Sequence, residues 1–153
     1  ADFCLCTIYR HPQSTRPQFR VAIADIFASI PSNSPAVLVG DLNDDQSTQN
    51  SESSWIVDVL KDCGFVDEVI PSPTTDFGST LDRVFCRNIS VSSLAVTDCP
   101  FSDHDCLVFS VRVWTTHHLR YFVSLYYIEF EYNSCWLWHS YVLCSDVTFR
   151  AAV

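Results

Sequence analysis

The 153 residues suffice for one domain with a buried core and are too few for two, and 48% apolar against 18% charged residues excludes a disordered chain. A net charge of −9, with Lys61 as the single lysine, disfavours gripping a phosphate backbone, because that affinity comes from cations replacing condensed counterions; a nucleic-acid role would need cations at the site itself. No charged n-region with an apolar stretch opens the chain and no uncharged run reaches membrane-spanning length, so the expectation is no signal peptide, no membrane contact and a nuclear or cytoplasmic location.

Eight cysteines are scattered along the chain without a C-x-x-C pair. Buried free thiols, disulfides and a metal site all stay open as readings, and no zinc clip is expected.

Residues 3–9 are rich in β-formers and are followed by Arg10-His11-Pro12, where proline stops a ladder, so a strand closing on Tyr9 is expected. Pro17 marks a helix entrance. Phe19, Ile23, Ile26, Phe27 and Ile30 then recur at near-helical spacing until Pro31. After the turn Ser32-Asn33-Ser34-Pro35 comes the apolar run Val37-Leu38-Val39, which ends abruptly in Gly40-Asp41-Leu42-Asn43. Apolar runs of this kind are the buried strands of α/β sheets, and such sheets bind ligands beyond the carboxyl ends of their strands. If strand geometry persisted, Asp41 and Asn43 would share a side and offer a carboxylate and an amide to a metal-bound water or a phosphate. The competing reading is a turn, because Asp and Asn hydrogen-bond their own backbone there.

A polar loop over 44–53 precedes a second helix marked by Trp55, Ile56, Val59, Leu60 and Cys63, with Gly64 placed as a left-handed terminator. Residues 65–70 are short and extended. Pro71-Ser72-Pro73-Thr74-Thr75 is loop by composition. Runs at 80–86, 89–97 and 105–113 read as strands that complete one layer of a sheet by hairpins. From Trp114 onward aromatics crowd both alternate positions, and neither strand nor helix is selected over 121–130. Adjacent His117 and His118 would face apart on a strand, which argues for solvent rather than a metal.

Candidate site residues stand where the predicted strands end or begin: Tyr9, Asp41 with Asn43, Asp82 in Leu81-Asp82-Arg83-Val84, and Asp103-His104 in Ser102-Asp103-His104-Asp105. Each has a plain reading as a turn, strand-edge or surface residue.

In this order, Gly-Asp-x-Asn, then Leu-Asp-x-Val-Phe, then Ser-Asp-His before a closing apolar strand, the sequence resembles the endonuclease/exonuclease/phosphatase family with its deoxyribonuclease-I-like fold. The resemblance covers residues 1–113, and Thr7-Ile8-Tyr9-Arg10-His11-Pro12 is similar to the family strand that ends in Tyr with Pro nearby. Within the family the sequence looks most like endonuclease domains of mobile elements.

The resemblance implies an α/β fold: half of a four-layer α/β sandwich, with one mainly antiparallel mixed sheet and two helices, over 1–113. Residues 114–153 are then an aromatic-rich tail of unknown fold. It also implies phosphodiester hydrolysis dependent on Mg²⁺ or Mn²⁺, with DNA as partner. His104 is similar to the family histidine that contacts the scissile phosphate and assists proton transfer, with Asp82 on its far ring nitrogen. Asp41 is similar to the carboxylate that orients the attacking water, and Asn43 to the amide that holds it against the phosphate. Asp103 resembles a ligand of the divalent cation, and Tyr9 a phosphate contact.

The family carries an earlier asparagine and a metal-binding glutamate upstream of the Tyr-ending strand. Here nothing precedes Ala1, and Glu52, Glu68, Glu129 and Glu131 all lie downstream. The expectation is therefore the carboxyl-terminal half of such an enzyme, impaired on its own and with one sheet face left bare. The aromatic tail would either cover that face or be unrelated sequence. An inactive remnant or binding domain, and a phosphatase acting on a small phosphate ester, are the alternative functions.

Overall fold

A computed structural model describes residues 4–28, 30–48, 54–100, 102–112, 120–132 and 135–142, with the backbone alone at 48, 112, 120–132 and 135–142. Two helices, a mixed sheet and a second sheet stack in that order. The expected α/β half-sandwich of mixed sheet and two helices is observed, and the structure adds the second sheet.

Helix α1, Arg16–Ala28, opens with half of a capping box: the Thr15 backbone N–H donates to Gln18 Oε1 at 2.9 Å, and the Phe19 N–H makes the first helical bond to Thr15 O at 3.0 Å. Helix α2, Trp55–Asp62, is capped by Ser54, whose hydroxyl accepts from the Ile56 N–H at 3.2 Å. It stops where Gly64 turns to φ +82°, as its position predicted. Phe19, Ile23 and Phe27 of α1 and Ile56, Val59 and Leu60 of α2 bury the apolar stripes read from their spacing. They pack on Ala36, Leu38 and Phe85, which form one face of the mixed sheet.

That sheet runs β1 (Cys4–Thr7), β2 (Ala36–Asp41), β4 (Asp82–Arg87), β3 (Val66–Asp67), with β1 parallel to β2 and β4 antiparallel to both β2 and β3. Every residue of β2 and β4 is buried, which explains why β2 reads as a continuous apolar run: both of its faces are covered. The cover on the second face comes from the chain itself. After β4 the backbone turns at Asn88, φ +54°, and β5 (Ser90–Thr97) and β6 (Cys106–Arg112) start a second sheet rather than extend the first. Leu107, Phe109 and Val111 meet Val37, Val39, Val84 and Cys86, with Val91, Leu94 and Val96 at the margin. Two period-2 apolar faces remove each other from water at about 25 cal/mol per Å², a gain unavailable had β5 simply lengthened the first sheet. The bare sheet face expected from the sequence is therefore filled.

The ambiguous run over 121–130 is strand. β7 (Arg120–Tyr132) pairs antiparallel with β6, and β8 (Cys135–Val142) with β7, lengthening the second sheet. Trp114, His117 and His118 lie outside the described residues, as do the tail side chains that would decide the covering role. No helix among the described residues is long and apolar enough to cross a membrane. Cys4, Cys6, Cys63 and Cys86 are free thiols, with Cys4 Sγ and Cys6 Sγ 3.5 Å apart on one face of β1.

Candidate active site

Three strands deliver polar residues to one end of the mixed sheet. β1 and β2 run parallel and finish there, and β4, antiparallel, starts there. Asp41 is the last residue of β2 and Asp82 the first of β4, and the two are register partners. Both follow the alternation of their strands: Val37 and Val39, like Val84 and Cys86, lie on the face toward the second sheet, so both carboxylates lie on that face too. Asp41 is 4% exposed and Asp82 fully buried.

β6 begins two residues after His104 and carries it to the same place. His104 Nδ1 lies 2.8 Å from Asp82 Oδ2, while nothing among the described residues is hydrogen-bonded to Nε2. The hydrogen bond to Asp82 pushes the His104 pKa up to about 9; burial works against it, and the charges of Asp82, Asp41 and Asp103 add to the rise. The ring is an imidazolium at neutral pH, with Nδ1–H donating to Asp82. Asp82 Oδ1 is buried and has no hydrogen-bond partner among the described residues.

The Gly-Asp-x-Asn segment is a turn as well as part of the site. Strand geometry does not persist past Asp41: Asn43 takes φ +47°, and the two side chains meet through the turn instead. Asp41 Oδ1 accepts the Asn43 backbone N–H at 2.7 Å and Oδ2 accepts Asn43 Nδ2 at 3.1 Å, while Nδ2 also donates to Arg10 O at 2.8 Å. Both amide hydrogens of Asn43 are thus engaged within the protein, and its direct effect is to orient Asp41. Gly40 is required by close approach: a Cβ there would stand 1.8 Å from the Ile8 carbonyl oxygen.

Tyr9, half-buried, runs beside this turn, bracketed by Ile8 N–H to Val39 O at 3.0 Å and Arg10 N–H to Asp41 O at 2.9 Å. Asp103 is exposed and attached through its backbone, whose oxygen accepts the Asp76 N–H at 3.0 Å.

Three residues that local sequence reading passes over hold these parts in place. Thr74, fully buried in a segment that reads as plain loop, accepts the N–H groups of Leu81 and Asp82 on Oγ1 at 3.1 and 3.2 Å and thereby sets the start of β4. Its backbone oxygen takes the Asp105 N–H at 2.9 Å, and Thr75 bridges to His104, so one loop ties Asp82 to His104. Asp45 binds the Thr80 N–H at 2.9 Å and the Ser47 hydroxyl at 2.8 Å; burial pushes its carboxyl up, but these donors and Arg83 outweigh it and hold the pKa below the usual value. Arg10, 8% exposed, reaches across to Leu42 and Asn43. A Thr directly after Pro73 and a cation directly after a strand-ending Tyr are signals for two of them, and neither is distinctive without the fold.

Among the described residues no three His, Cys, Asp or Glu side chains converge where they could hold a metal ion. Asp103 is exposed beside His104, and both Asp41 oxygens already accept hydrogen bonds. These residues by themselves do not fit a resident divalent ion.

The sequence model of the endonuclease/exonuclease/phosphatase family matches residues 5–104, a span that begins in β1 and closes on His104. No curated protein matches the chain.

Proposed function

Because the chain belongs to the endonuclease/exonuclease/phosphatase family, whose members hydrolyse phosphate esters and are generally divalent-metal dependent, we propose that this site hydrolyses a phosphodiester and that DNA is its substrate. The observation that carries the reading is the charged pair: His104 bonded to Asp82, with Asp41 the register partner of Asp82, all three at one end of the mixed sheet. Phosphoryl transfer needs positioning and charge stabilisation more than covalent help, and this end of the sheet offers a cation held on one buried carboxylate in the field of a second.

The chain's own residues divide the work as follows. Asp82 fixes the ring, so His104 Nε2–H points away from Nδ1 toward an anionic ester. Asp41, oriented by Asn43, accepts a proton from the attacking water. As the water oxygen bonds to phosphorus, the ester P–O bond breaks, and His104 gives its Nε2 proton to the leaving oxygen. Tyr9 flanks the ester. A proton transfer of this kind contributes about 10²–10⁴ in rate. The choice of DNA rests on the likeness of the sequence to mobile-element endonuclease domains; the net charge of −9 opposes it, but whole-chain charge says little about a local groove.

That no three such donors gather among the described residues favours a second reading, a phosphate-binding domain without turnover. Supercoiled plasmid in Mg²⁺ or Mn²⁺, run beside bis(p-nitrophenyl) phosphate and p-nitrophenyl phosphate, separates the readings. Slow nicking that vanishes in His104→Ala supports DNA hydrolysis. Binding of DNA without nicking supports the second reading, and monoester hydrolysis alone would replace DNA with a small phosphate ester.

A further inference from the structure

A guanidinium so nearly buried usually faces a carboxylate, yet none of the ion pairs among the described residues involves Arg10. Its partners are backbone oxygens. Nε donates to Leu42 O at 2.5 Å and Nη2 to Asn43 O at 2.7 Å, while Nη1 spans Ser14 O at 3.3 Å and His11 O and Pro12 O at 3.4 Å. The backbone of the same residue finishes the grip: its N–H donates to Asp41 O at 2.9 Å, and its oxygen accepts Asn43 Nδ2 at 2.8 Å. Arg10 therefore touches Asp41, Leu42 and Asn43 in succession. Trp55, the first residue of α2, covers the guanidinium at 5.7 Å from its ring centroid.

We propose that Arg10 is the positioning residue of this site: its planar fork sets the left-handed turn at Asn43, and Asn43 in turn aims Asp41 at the ester. Asn tolerates φ +47° better than most non-glycine residues without requiring it, and the Arg10 contacts select it here. The fork is the requirement, not the charge. Lysine at the same position brings a single ammonium on a flexible stem and cannot hold the Leu42 and Asn43 oxygens in the same plane. The inference rests on the proposed hydrolysis only for its kinetic consequence; its structural half stands without substrate.

The test therefore has two arms, both on the full chain. In plasmid nicking with Mg²⁺ in excess, Arg10→Lys is expected to lower kcat about tenfold to a hundredfold while KM stays within about twofold, because Asp41 is misaimed and the ester contacts are kept. Guanidinium ion added to Arg10→Ala restores part of the rate, which it would not do for a general loss of folding. In the second arm, NMR without substrate follows the Asn43 side-chain amide. Its hydrogens exchange slowly in the wild type and quickly in Arg10→Lys, while the Leu38 and Phe85 backbone amides keep their protection. Nicking insensitive to Arg10→Lys overturns the inference and leaves hydrolysis standing. A wild type that does not nick overturns hydrolysis, and the exchange arm then decides Arg10. Should Arg10→Lys fail to fold, fast exchange at Asn43 in the wild type overturns the proposal and slow, resolved exchange supports it.

Discussion

Asp41 and Asp82 stand directly opposite each other across the β2–β4 ladder, two buried carboxylates on the same face of one sheet. Like charges in that position repel, and the fold tolerates them because the His104 imidazolium is bonded to Asp82 and lies in the field of Asp41. His104→Ala is thus expected to cost about 1.5–3 kcal/mol at neutral pH, the range for a charged hydrogen bond. Adding Asp82→Asn to that variant should recover part of the loss by removing one of the opposed charges. Urea denaturation of the two single variants and the double variant checks this; a purely additive cycle would count against the charge balance.

The raised pKa of His104 gives stability a pH dependence of defined sign. The folded value is about 9 against 6.5 for the free side chain, so the contribution is complete below about pH 6.5 and is lost as pH rises through about 9. Titration of the ring by NMR should give a midpoint near 9 in the wild type and one close to the free value in Asp82→Asn. If the ring acts as the cation of the site, hydrolysis declines over the same alkaline limb.

Gly40→Ala places a methyl group 1.8 Å from the Ile8 carbonyl oxygen, a backbone atom that moves only if the end of β1 moves. Overpacking of this kind costs about 1–3 kcal/mol, and the displaced strand carries Tyr9 and Arg10 with it. Thermal unfolding should show a lowered Tm together with loss of any hydrolysis, whereas Gly78→Ala, with open space around it, should not affect the site despite its unfavourable φ of +81°.

Thr74→Val removes the oxygen that accepts two N–H groups at the start of β4 while keeping the shape of the side chain. Leaving buried donors unpaired costs about 1–3 kcal/mol. Thr74→Ser retains the acceptor and should restore most of the stability. The His104 midpoint should also fall in Thr74→Val, since Asp82 is no longer held at its bonding distance, and an unchanged midpoint would limit Thr74 to a purely structural role.

With no three donors gathered among the described residues, Mg²⁺ titrated into the chain without substrate should produce no saturable shift of the Asp41, Asn43 or Asp103 resonances. Such an ion is ordinarily held by one or two carboxylates plus substrate oxygens, so the same titration with a phosphodiester present is the informative comparison. Saturation without substrate would mean that donors outside the described residues complete a site.

The residues of the candidate site were legible in the chain because they are polar types standing where apolar strands begin or end. Asp41, Asp82 and His104 all stand where an apolar run begins or ends. Asn43 was legible as a residue but not in its action, since whether an amide faces a ligand or its own turn depends on φ at one position. Arg10 and Thr74 were not legible: their partners are backbone groups of segments distant in sequence, which leave no mark on side-chain pattern. The same holds for the second sheet, since alternation over 89–97 and 105–113 predicts strands without saying which edge or face they join.

By itself the sequence determined the elements, through periodicity and turn chemistry that act over a few residues, and the identity of the polar groups at their ends. Only the tertiary structure decided what those groups are. It set Asp82 against His104 across 22 residues, placed Asp41 opposite Asp82, and so made the histidine a cation. Charge state follows from burial and from neighbours brought together by folding, and those are properties of packing that no local pattern contains.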